Sequence, residues 1–305
     1  MEAMGTGSRP FVGRYFALIL DGYDTAGYLK AIEGGGIKGE LLAQQVGGMP
    51  YRVKHINNPT IEPITVQVPF SMSAAFYDWV SKSWKGECER RSGSIVTLDF
   101  DLNTVHEWSF REALILETTI PTLDGSSKDP AYMTVKFQAE TAEHKLVSSG
   151  PKVTAKSPGS QTMWLPSNFK LEIDGLDVQR VGKIDSFTLK QNVKPFTTGP
   201  DWMYQIEPTS LEYPNLSVYV ALSNAEPWFT WHKEFVVEGK NGPDKEKTGA
   251  ITLIDSTLSQ TLLTINLKSV GIVNISPDKA DASGQDQVKR VKIELYVEEM
   301  DFVFP

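Results

Sequence analysis

The sequence predicts a mainly β protein made of two tandem β-barrel or β-sandwich domains, each with one short α-helix. Three observations support this. Short apolar strands recur in the same order in two stretches, residues 14–140 and 169–298; several alternate apolar and polar side chains with period two; and one segment per stretch has helical spacing.

The elements of the two stretches correspond in order. Leu18, Ile19, Leu20, Asp21 and Gly22 open the first stretch, and Leu171, Glu172, Ile173, Asp174 and Gly175 open the second, with the Asp-Gly pairs 153 positions apart. The runs beginning at Ile64 and Leu216 precede aromatic quartets that begin at Phe76 and Trp228, both 152 positions apart. Ser94 to Asp99 is answered by Ala250 to Asp255, and Val135 to Glu140 by Ile293 to Glu298. The small drift in offset is what loop insertions in a duplicated unit would produce. In the last strand Val291, Ile293, Leu295 and Val297 share one face, so one side of the sheet is expected to cover a core. Ser71 or Ser73 is a suitable N-cap for a helix whose stripe is Phe76, Trp79, Val80 and Trp84. In the second stretch Ser223 or Asn224 would cap, Pro227 fits the first turn, and Trp228, Trp231, His232 and Phe235 form the stripe, with His232 expected in the core.

At 305 residues the chain has room for two domains, each expected to bury its own core. The boundaries are placed at 1–147 for the first domain, 148–160 for a linker rich in Ser, Gly and Pro, and 161–305 for the second. The net charge of −8 is spread over both halves, with 14 basic and 18 acidic residues before position 151 and 16 and 20 after it. No basic face is concentrated enough to neutralise phosphates, which argues against a dedicated nucleic-acid-binding surface. The single cysteine, Cys88, cannot form an intrachain disulfide, is read as inert, and suits synthesis in a reducing cytoplasm. Neither a signal-peptide pattern nor a run of about 18 apolar residues is present, so no membrane partner is expected.

Residues 31–63 form an unusually long connection containing Gly34, Gly35, Gly36, Gly47 and Gly48 together with Leu41, Leu42, Val46, Met49 and Tyr51. Glycine hinges mixed with exposed apolar side chains suit a hairpin that folds onto a neighbouring subunit; a mobile surface loop is the alternative. Residues 191–213 are the counterpart, carrying Phe196, Trp202, Met203 and Tyr204. The candidate self-assembly residues are therefore Leu41, Leu42, Val46, Met49, Tyr51, Phe196, Trp202 and Tyr204.

The first stretch resembles the tail tube protein family of contractile phage tails and related contractile injection systems. The residues carrying the resemblance are Ile19 to Gly22, Ile64 to Val68, Phe76 to Trp79, Ile95 to Asp99, Trp108, Ala113 to Leu116, Pro121 to Asp124 and Thr134 to Glu140. The second stretch matches more weakly, with Leu262 and Leu263 near the place of Trp108 and no counterpart of Pro121 to Asp124. The resemblance implies a tail-tube-like fold and a structural, self-assembling subunit of the inner tube, stacking as rings of six units into a conduit for DNA or effectors. It also implies sheath, baseplate and terminator proteins as partners, and a virion tail or injection particle made in the host cytoplasm as the location. Two tandem units depart from the family pattern, and leave open a ring of three chains or of six. A tube initiator, hub or terminator is an alternative role, and a ligand-binding β-sandwich pair using the loop aromatics is one from another class.

Catalytic patterns are thin. Gly34 to Gly39 lacks the Lys-Ser/Thr ending of a P-loop, since Lys38 precedes Gly39. Asp99 to Asn103 starts like a calcium loop but has Thr104 and Phe110 where Gly and Glu are needed, and reads better as a hairpin turn. His55, His106, His144 and His232 have no ligand spacing. No catalytic residue, cofactor or metal is expected, and the chain is read as a non-enzyme.

Overall fold

The computed structural model describes residues 15–21, 24–147, 150, 152–153, 164–197, 203–278 and 289–304. The first unit runs β1 (Tyr15–Leu20), β2 (Asp24–Leu29), β3 (Ala31–Gly34), β4 (Ile37–Gln44), β5 (Val53–Ile61), β6 (Ile64–Val68), α1 (Ala74–Trp84), β7 (Arg91–Leu98), β8 (Thr104–Ile120), β9 (Leu123–Asp124), β10 (Met133–Gln138) and β11 (Thr141–Leu146). The second runs β12 (Phe169–Ile173), β13 (Val181–Ile184), β14 (Phe187–Phe196), β15 (Gln205–Glu212), β16 (Leu216–Ala221), α2 (Glu226–His232), β17 (Lys247–Ile254), β18 (Thr261–Pro277) and β19 (Arg290–Val303). The protein is mainly β, with one short helix in each unit.

Strand order is the same in both units. One sheet follows β1-β7-β8-β10-β6-β3, with β2 outside β1, and the other follows β12-β17-β18-β19-β16-β13. Register repeats as well. Val135 stands between Val66 and Thr118, and Ile293 stands between Val218 and Ile275. A bulge falls after Lys136 in one unit, passing over Leu116, and after Ile272 in the other, passing over Val273. The long strands β8 and β18, each of 17 residues, carry left-handed residues at matching places, Glu112 at φ 52° and Ser269 at φ 50°.

Packing explains two further matched positions. A Cβ at Gly93 would lie 2.2 Å from the Ile19 carbonyl oxygen, and one at Gly249 would lie 2.5 Å from the Glu172 carbonyl oxygen. Each glycine thus allows the first strand of its unit to close on β7 or β17. Gly93→Ala is expected to destabilise the protein by about 1 to 3 kcal/mol, because the obstacle is backbone and cannot rotate away. Urea unfolding measures this, and an unchanged midpoint would remove the close-approach argument.

The helices keep the sequence stripe except at His232, and α2 differs in its capping. Ser73 caps α1 by accepting from the Phe76 N–H at 3.4 Å, and Phe76, Trp79, Val80 and Trp84 are buried. In α2 the N-cap is Ala225, without a side-chain bond, while Ser223 and Asn224 bond to one another in a preceding 3₁₀ turn. Pro227 occupies the first turn, and a π-helical turn, Lys233–Val237, continues the helix. Trp228, Trp231 and Phe235 are buried, whereas His232 is half-exposed and does not join them. At the β7–β8 turn Asp99 Oδ1 accepts from the N–H groups of Asp101 and Asn103 at 2.9 and 2.8 Å. Asp255 Oδ1 does the same for Ser259 and Gln260 at 2.9 and 3.1 Å. Both carboxyls are held below the usual carboxylate range, Asp99 chiefly by the Asn103 side chain and Asp255 chiefly by the Thr257 hydroxyl.

The two units interlock. β14 leaves its own sheet and pairs with the end of β8, with Phe187 opposite Ile120 and Lys190 opposite Glu117. In return, β9 joins the second sheet against β13. α1 lies on β19: Tyr77 stacks on Phe304 with ring centroids 3.8 Å apart, Trp84 meets Phe302 at 5.3 Å, and Ser81 Oγ donates to the Phe302 carbonyl at 2.8 Å. Trp164 packs on Phe70 at 4.9 Å. One hydrophobic core therefore runs through both units, in place of the two self-sufficient cores expected from sequence. Most of residues 148–160, read as the linker, lie outside the described residues.

Candidate functional site

The site expected from sequence is a surface, and five of its eight residues fall on the first hairpin or its turn. β4 and β5 pair only with each other among the described residues, with Leu41 opposite Ile56 and Leu42 opposite His55. Successive strand residues face opposite sides, so Leu41 and Ile56 mark one face of the ribbon and Leu42 the other. The turn is held by Gln45 Nε2 donating to the Met49 carbonyl at 2.6 Å, with Gly47 at φ 56°. Leu41 is 66% exposed, and Leu42, Val46, Met49 and Tyr51 are exposed with it. Ile37 and Ile56 belong to the same apolar ribbon and were missed in the sequence reading; Ile56 shares its face of β5 with Lys54, Asn58 and Thr60, so period two gave no signal for it.

The second hairpin, β14–β15, has the same register as the first. Lys190 opposes Glu212 as Lys38 opposes Thr60, and the bulges lie at Gln191/Val193 and Gly39/Leu41. Phe196 and Tyr204 are half-buried here, and Trp202 lies outside the described residues. Tyr204 and Met203 face Pro59, Thr60 and Ile61 across a cleft of about 230 Å³. The structure thus groups Leu41, Leu42, Val46, Met49 and Tyr51 on one projecting ribbon and sets Tyr204 against its base. A half-buried clamp ties β15 to the first unit. Glu140 pairs with Arg90 and accepts the Ile206 N–H at 3.0 Å, and Arg90 also bonds the Ile206 carbonyl.

Charged groups elsewhere serve structure. Arg91 joins Asp78 and Glu89 at 3.0 and 2.9 Å and also Asp21, tying α1 to β7 and the first turn. Cys88 Sγ donates to the Gly86 carbonyl at 3.3 Å, and burial pushes its thiol pKa up, which keeps thiolate scarce. Among the described residues no group of three or more His, Cys, Asp or Glu side chains is placed to hold a metal ion. Nor is any described helix long and apolar enough to cross a membrane.

His106 and His144 stack at 5.5 Å between β8 and β11, with Trp108 Nε1 donating nearby to the Gly35 carbonyl at 3.0 Å. Burial first, and then the neighbouring His144, lowers the His106 pKa from its ordinary value. A base with a depressed folded pKa contributes stability that is complete above its unfolded value of about 6.5 and lost as pH falls through the folded value. Amide exchange along β11, corrected for intrinsic rate, is expected to be faster at about pH 5 than at pH 7. Equal protection at both would remove this pair from the stability of β11.

A search of curated proteins finds no match. Among solved structures, the chain is similar at 17% identity and TM-score 0.40 to the sheath–tube complex of an extracellular contractile injection system, PVC, in its extended state. That likeness covers 46% of this chain and 95% of the other. It is also similar at 16% identity and TM-score 0.41 to the tube-terminating cap of the anti-feeding prophage, over 48% of this chain and 97% of that one. The baseplate of the anti-feeding prophage is similar at 17% identity and TM-score 0.35, over 49% of this chain and 98% of that one. Residues 15–143, from β1 into β11, match the family model described as T4-like virus tail tube protein gp19.

Proposed function

We propose that the chain is a structural, self-assembling subunit of the inner tail tube of a contractile phage tail or injection machine. Its two units, divided at residues 148–160, arose by tandem duplication, and together they fill two positions of a stacked ring. The observation carrying this reading is the tail tube match over residues 15–143 combined with the same strand order, register and bulges in the second sheet. The two hairpins are the self-assembly elements, with Leu41, Leu42, Val46, Met49 and Tyr51 of the first and Phe196, Trp202 and Tyr204 of the second contacting neighbouring subunits. The chain itself is the principal partner; sheath, baseplate and terminator proteins surround the tube, and DNA or effectors pass through it. A net charge of −8 suits a conduit that does not grip a polyanion.

A tube initiator, hub or terminator is the second reading, favoured by the pairing of two units in one chain, which lets three chains present six units. Negative-stain microscopy of the purified protein tests both: stacked tubes with many copies per particle support the tube body, and isolated rings with three or six copies support the end-piece. A strictly monomeric protein at all concentrations would overturn both.

A further inference from the structure

We propose that the chain docks head-to-tail on a second copy of itself by repeating, between chains, the contact its two units make within one chain. This deepens the tube reading and rests on it for the occupant.

Inside the chain, the first unit's α1 lies on the second unit's last strand, β19, and the second unit's hairpin strand β14 extends the first unit's long strand β8. Each of these four pieces has a counterpart that is left open. The end of β18 matches the end of β8 by register, so Ile275 stands where Thr118 does. Beyond Val270, β18 has β19 on one edge and no strand on the other among the described residues. Its Val273 is exposed where Leu116 is buried. The hairpin strand β4 matches β14, so Ile37 stands where Leu189 does; Leu189 is 2% exposed and Ile37 is 44% exposed.

The helix contact shows the same pattern. By its place in the aromatic quartet, Phe229 of α2 corresponds to Tyr77 of α1, which stacks on Phe304. Phe229 is 40% exposed. By the register of the last strands, His144 of β11 opposes Trp108 as Phe302 of β19 opposes Ile265, so Leu146 stands where Phe304 does, and Leu146 is 76% exposed. Glu298 likewise stands where Glu140 does, but on the surface, and the residue matching Ile206 is Lys54 on β5.

These open pieces sort into one interface. The second unit offers the β18 edge and α2, and the first unit offers β4 and β11. The two surfaces lie on different units of the same chain, so the occupant of each is another copy, in a heterologous contact. Ile37 of one copy pairs beside Ile275 of the next as an added strand, Phe229 of that next copy covers Leu146, and Lys54 meets Glu298. The added strand supplies backbone hydrogen bonds and the side chains set the register.

Cysteine crosslinking tests this. In a Cys88→Ser background, chains carrying Ile37→Cys alone and Ile275→Cys alone are mixed and oxidised. Opposed residues of an antiparallel pair have Cα atoms about 4.5 to 5.5 Å apart, within disulfide range. The mixture is expected to give a disulfide-linked dimer that neither variant gives at the same level, and the double variant a ladder ending in a closed species. Leu41→Cys paired with Ile275→Cys should not crosslink. Separately, Phe229→Glu is expected to abolish ring-sized species in sedimentation, and Leu146→Lys in the same chain to restore part of them. Circular dichroism confirms folding of each variant; Ile37, Leu41, Leu146 and Phe229 are exposed, and Ile275 is half-buried against the core. Rings seen by microscopy without the Ile37–Ile275 crosslink would overturn the interface and leave the tube reading standing. Crosslinked rings that never stack would support the interface and count against the tube body. A monomer throughout would overturn both.

Discussion

Alanine at Trp79 is expected to unfold the protein at a denaturant concentration well below that of the native chain. The Trp79 ring is fully buried, 5.5 Å from Phe137, and its Nε1 donates to the Glu89 carbonyl at 2.9 Å. Truncation removes the ring's contacts, leaves a cavity and orphans that carbonyl, a loss of about 3 to 5 kcal/mol. Domains of this kind have total stabilities of about 5 to 15 kcal/mol, so the effect is a large share of the whole. Trp231→Ala has the same sign in the second unit, where the ring lies 6.2 Å from Trp228. Because one core spans both units, each variant is expected to shift a single cooperative transition, followed by far-UV circular dichroism in urea. Two transitions, of which only one moves, would sink the shared-core account.

Replacing Leu41 and Leu42 together by aspartate is expected to abolish self-assembly while leaving the melting temperature of the monomer unchanged. The two side chains point to opposite faces of the β4–β5 ribbon and touch no core residue cluster, so the folded chain loses nothing by the change. At an interface each leucine would contribute roughly 1 to 3 kcal/mol by leaving water, and a carboxylate in its place would have to be desolvated. Sedimentation and microscopy read the loss. Normal tubes from the double variant would remove the ribbon from the assembly.

Much of this architecture was legible locally. The stripe of Phe76, Trp79, Val80 and Trp84 fixes a helix face because four apolar residues at that spacing have one way to be buried together, and Ser73 has the side chain to start it. Alternation through Val291 to Val297 made β19 visible, and the glycines around Leu41 and Val46 announced a hairpin with nothing to cover it. Other features depend on distant partners. His232 falls on the apolar stripe by spacing, yet the buried face is made by Trp228, Trp231 and Phe235 and leaves His232 half-exposed at its margin. The two residues of β9 carry no period at all, and become a strand only because β13 stands beside them. The crossing of β14 onto β8 was also hidden, since Thr118 and Thr119 give no sign in sequence of being covered. For the candidate surface, a run of exposed apolar residues was readable, but Ile37, Phe229 and Leu146 take their meaning from Leu189, Tyr77 and Phe304, the covered counterparts that only the fold aligns with them.

The swap of β14 for β9 changes what the connecting peptide has to do. Each half keeps a piece of backbone woven into the other's sheet, and α1 is seated on the other half's final strand. The covalent join is thus no tether: a cut within residues 148–160 would leave two fragments that travel as one particle. Tension along the particle's axis would have to shear whole ladders of backbone bonds before the halves parted.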